Sequence, residues 1–151
     1  MSVPDPDGRE RANQRLREAK TAWGQALNAH KLAPPDAGFA GRLRTLASAA
    51  EEEREACEEA GRAGLLWRPI PGAQGAQPPY ELRPGTGRRG PVELWDRFDA
   101  GVQDLNHAIT GTNVMGVARA FGELASAAAA LAEAVEAEDR ETAADLRQRA
   151  G

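Results

Sequence analysis

Cysteine occurs once in this chain, at Cys57, and histidine twice, at His30 and His107. A lone cysteine excludes an internal disulfide. Its neighbours in EACEE are carboxylates that disfavour a thiolate, so Cys57 is expected to pack as a small apolar residue and not to act as a nucleophile. Asp104-x-x-His107 shares one helix face and His30 can approach it, but a bundle metal site needs two Glu-x-x-His sets and two further inward carboxylates. The inward positions of the last helical segment are Ala, Leu, Phe and Val instead. No G-x-S-x-G or comparable local signature joins a serine, a histidine and an acid. No catalytic residue, metal or cofactor is therefore assigned, and the chain reads as non-enzymatic.

Long apolar runs are also missing. SAAAALAEAVEAE is broken by glutamates within two turns, no run approaches transmembrane length, and MSVPDPDG has no basic-then-apolar signal region. These absences lead to the expectation of a cytoplasmic protein with no membrane contact. Aromatics make up only 5% of the chain, and alanine far outnumbers the larger apolar residues. Alanine faces allow close helix approach but bury little area each, at roughly 25 cal/mol per Å². A core built this way invites completion by a second copy, so a homodimer is expected. Lysine appears only at Lys20 and Lys31, while Ala, Gly, Arg and Pro abound. That bias follows GC-rich codons, as in a high-GC bacterium, and discounts the abundance of arginine as a sign of anion recognition.

The formal net charge of −4 argues against a nucleic-acid binder that uses its whole surface. The charge is nevertheless blocky: +3 over residues 1 to 50, −4 over 51 to 65, +3 over 66 to 92 and −6 over 93 to 151.

What is present is helical periodicity. Asp7 and Glu10 have the spacing of a capping box, and Ala12, Leu16, Ala19, Trp23, Ala26, Leu27 and His30 follow at steps of three and four. KLAPPDAG breaks this helix, with Asp36 as a cap for the next. A second stripe runs Phe39, Leu43, Leu46, Ala47, Ala50, Cys57 and Ala60, with EEEREACEE read as its polar extension, until Gly61 and Gly64 end it. A third begins at Pro91 and uses Leu94, Trp95, Phe98, Val102, Leu105 and Ile109. After TGTN, where Thr112 or Asn113 can cap, the fourth uses Val114, Val117, Ala118, Phe121, Leu124, Ala125, Ala128, Leu131 and Val135. With no Gly or Pro from 123 to 150, this helix is expected to continue past the core as a charged extension through Leu146. The fold class is all-α: a single domain over residues 1 to 151 forming an antiparallel four-helix bundle of two helical hairpins. The same stripes are satisfied if the hairpins pack within one chain or between two.

Residues 65 to 91 form a long Pro/Gly/Arg-rich arm between helices 2 and 3, in which LLWRPI and PYELRP can pair as a short β-hairpin. The arm ends in GTGRRG. This matches the spacing of a dinucleotide fingerprint but lacks the preceding buried strand, the surrounding βαβ unit and the Gly-Lys-Ser/Thr ending of a Walker loop, so it reads as a linker. Trp67, Arg68, Tyr80, Arg83, Arg88 and Arg89 are the candidate binding residues. Guanidinium groups suit phosphates and aromatic faces suit bases. In the structural alternative, Trp67 and Tyr80 cover the bundle while the arginines neutralise EEEREACEE. These features together point to a helical interaction or regulatory module with an unidentified protein partner. A regulator that contacts nucleic acid or a phosphorylated small molecule through the arm is the second reading.

Overall fold

The structure, a computed structural model, describes residues 6–31, 38–70 and 90–150. Four helices account for most of them: α1 (Pro6–Lys31), α2 (Phe39–Arg62), α3 (Val92–Ala108) and α4 (Val114–Ala150). No strand occurs among the described residues. The fold is all-α, as the periodicity requires.

Each helix forms for local reasons and is held by one apolar face. In α2 the stripe from Phe39 to Ala60 is buried throughout. Its C-terminus closes as a Schellman turn: the Leu65 N–H donates to the Ala60 carbonyl at 2.9 Å and the Gly64 N–H to the Gly61 carbonyl at 3.1 Å. That turn needs the left-handed backbone of Gly64, whose φ is 77°. The helix starts at Gly38 without a side-chain cap, and Asp36 lies outside the described residues. Pro91 occupies the N-cap position of α3, one residue before the expected first turn. Asn113 rather than Thr112 caps α4, its Oδ1 accepting the Gly116 N–H at 3.1 Å.

The most extensive contact joins α2 and α4, with α1 packed on α2 and α3 packed on α4. Directions follow from the pairs that meet. Arg15 reaches Glu55 and Glu59 across α1 and α2 at 3.1 and 2.6 Å. Met115 at the start of α4 lies on Gly61 at the end of α2, while Arg44 meets Glu136 at 2.7 Å. Both pairings therefore run antiparallel. Arg97 of α3 donates to Ser126 of α4 at 2.9 Å. Such exposed ion pairs contribute little energy but mark the register.

The aromatic residues fill the larger gaps left by alanine. Trp95 and Phe98 are fully buried, Trp95 stacks on Phe39 at 5.6 Å, and Trp23 meets the Phe121 ring edge-on at 5.1 Å. In α4 the buried stripe ends at Val135. The fifteen residues beyond it, about 22 Å of helix at 1.5 Å per residue, carry the exposed Leu146. One expectation requires correction: α4 does contain a stretch long and apolar enough to cross a membrane. Of that stretch, 56% is buried inside the fold, and the core helix of a soluble protein has the same composition.

Candidate functional site

The arm leaves α2 through the Schellman turn and lies against the turn between α3 and α4. The Trp67 N–H donates to the Thr112 carbonyl at 3.0 Å and the Ile70 N–H to the Ile109 carbonyl at 2.8 Å. The backbone of LLWRPI is thus paired with the α3–α4 turn; its proposed hairpin partner PYELRP lies outside the described residues. Trp67 turns inward and is only 2% exposed. Its indole N–H donates to the Ile109 carbonyl at 3.0 Å, and the Lys20 ammonium sits 4.0 Å from the ring centroid.

This geometry bears on the candidate binding residues. With one edge hydrogen-bonded and a lysine over its ring, Trp67 does not offer an open face for stacking in this structure. Arg68, the next residue, is exposed. Tyr80, Arg83, Arg88 and Arg89 lie outside the described residues. Four of the six glutamates in EEEREACEE are paired from within the fold: Arg15 of α1 takes Glu55 and Glu59, and Arg54 pairs with Glu51 and, at 2.7 Å, with Glu58.

The last glycine of GTGRRG has a structural explanation. Gly90 has φ 91°, and a Cβ there would approach Leu131 Cδ1 of α4 to 3.0 Å. Its N–H, at the start of α3, donates to Glu138 Oε1 at 3.1 Å. The chain's own carboxylate thus accepts a backbone N–H at the end of the helix where an external anion would bind. Gly85 and Gly87 lie outside the described residues.

The interior holds an ionisable cluster that the periodicity alone did not single out. Glu53 is fully buried, and neither carboxylate oxygen has a hydrogen-bond partner among the described residues. Burial pushes its carboxyl up to about 7, and the nearby Lys20 charge only partly opposes this. Cys57, one turn further along α2, is also fully buried. Its thiol is pushed up to about 12, first by burial and then by the charge of Glu53, with Lys20 opposing. The step from Ala50 to Cys57 skips a stripe position that Glu53 fills, which marks the place in the sequence without showing that a carboxylate there is enclosed. Reading the whole acidic run as solvated concealed it.

Asp104 and His107 are exposed, and no group of three or more potential metal ligands occurs among the described residues. The side chain of His30 is outside them. A groove of about 620 Å³ between α1 and α2 is lined by Ala22, Ala26, Ala49, Thr45 and Ser48, and its cation, Arg44, is already tied to Glu136. No known protein family, curated protein or solved structure shows significant similarity to the chain.

Proposed function

We propose that the protein is a non-enzymatic helical interaction or regulatory module that engages a protein partner at the root of its arm. One observation carries this reading. Leu66 and Ile70 of the arm are 74% and 44% exposed, and Met115, which meets the end of α2 at Gly61, is 49% exposed, although Trp67 is buried and its backbone is pinned. Exposed apolar side chains held on a fixed backbone supply the surface through which this reading has the partner bind. The antiparallel α1–α2 and α2–α4 pairings favour closure of the four helices as an antiparallel bundle within one chain. That leaves the homodimer of this reading to form through outer surfaces. Burial of most of the apolar stretch of α4 favours a cytoplasmic setting.

The test is affinity capture from a high-GC bacterial lysate, comparing the wild type with the Arg88→Glu/Arg89→Glu double variant, with and without nuclease. A stoichiometric protein complex that survives nuclease and the double substitution is expected. Recovery of nucleic acid or a nucleotide, lost in the double variant, would replace this reading with that of a regulator that contacts such ligands through the arm.

A further inference from the structure

The root of the arm combines two features. The first is three exposed apolar side chains, Leu66 and Ile70 on the arm and Met115 at the start of α4. The second is a set of exposed cations around them. Arg68 lies between Leu66 and Ile70 in the chain, Arg62 follows Gly61, on which Met115 lies, and Arg119 is one turn from Met115 along α4. Arg15, Arg44 and Arg54, by contrast, are paired with carboxylates of the fold. Arg62, Arg68 and Arg119 engage no carboxylate among the described residues.

We infer that this end of the molecule docks a short acidic protein segment that carries apolar anchors, as on one face of an acidic amphipathic helix. The inference rests on the proposed role as an interaction module and assigns its site and the chemistry of its partner. Charge complementarity selects the sign: unpaired guanidinium groups beside apolar side chains match carboxylates beside leucines. Area selects the size. Three such side chains expose on the order of 300 Å², enough for the anchors of a peptide, whereas a stable globular interface needs about 800 Å² per partner. A second copy seated here would be undersized.

The placement of Met115 favours a peptide over an anionic membrane. Met115 is half-covered, with its sulfur against Gly61, and does not project as an insertion anchor.

The experiment titrates full-length protein with two synthetic peptides, leucines at i, i+3, i+4 and i+7 in both, glutamate elsewhere in one and lysine in the other. The glutamate peptide is expected to bind, weaken with added salt, and lose roughly tenfold in affinity with Leu66→Ser/Met115→Ser. Arg62→Glu/Arg68→Glu is expected to reverse the preference toward the lysine peptide. All four positions are exposed, and circular dichroism confirms that the variants remain helical. Equal binding of both peptides, or indifference to the substitutions, overturns the inference. So does flotation with phosphatidylserine vesicles in the absence of peptide binding, or a dimer that Leu66→Ser/Met115→Ser dissociates. A stoichiometric protein complex that persists in Leu66→Ser/Met115→Ser would also overturn this site, and would keep a non-enzymatic interaction module whose partner binds away from the root of the arm.

Discussion

Replacing Glu53 by glutamine should flatten the pH dependence of stability between about pH 4.5 and 7. The carboxyl is fully buried without a hydrogen-bond partner among the described residues, and burial raises it from 4.5 to about 7. The sign follows from proton counting. Between these values the folded chain keeps a proton on Glu53 that the unfolded chain has released. Stability is thus highest below the unfolded value and falls as pH rises through the folded one. At roughly 1.4 kcal/mol per pH unit, the penalty reaches about 3 kcal/mol above pH 7. For a chain of 151 residues this corresponds to about 6–12 °C in Tm. Glutamine keeps the shape and cannot titrate, so the assay is urea denaturation of wild type and Glu53→Gln at several pH values from 4.5 to 8. Other carboxylates cancel in the difference, including Glu51, which the Arg54 hydrogen bond holds below its usual value and whose effect has the opposite sign. Parallel stability curves for the two proteins across this window would refute the reasoning.

Two further outcomes follow from the same geometry. Cys57, buried and pushed up to about 12, should resist a water-soluble disulfide reagent at pH 8 in the native protein and react fully once urea unfolds it; rapid native labelling would contradict its enclosure. Gly90→Ala should cost about 1–2 kcal/mol, because an alanine there is strained at positive φ and crowds Leu131, with urea denaturation as the measure; an unchanged midpoint would show that the root of α3 is not held against α4.

The helices were legible because their causes are local. Phe39, Leu43, Leu46 and Ala50, or Val117, Phe121, Leu124 and Leu131, recur at the spacing of one helical face, and each is buried in the structure. Proline and glycine between the stripes marked the breaks, and the lack of either after Gly122 implied the long end of α4. The exposure of Leu66 was not legible. Leu66 and Trp67 are neighbours of similar character, and only the hydrogen bonds from Trp67 and Ile70 to Thr112 and Ile109 turn one into the core and leave the other in water. Glu53 was concealed for a related reason: a carboxylate in EEERE reads as solvated unless the helices that enclose it are known.

The sequence by itself determined which segments become helices and which face of each is apolar, since these depend on backbone propensity and on contacts three or four residues apart. Tertiary structure alone decided that α2 packs most extensively on α4, that Lys20 lies over Trp67, that Glu53 is shut away from water, and that Glu138 accepts the N–H of Gly90. Each of these joins residues more than thirty positions apart or depends on how separate helices enclose one residue, and hydrophobic periodicity carries no information about which faces will meet.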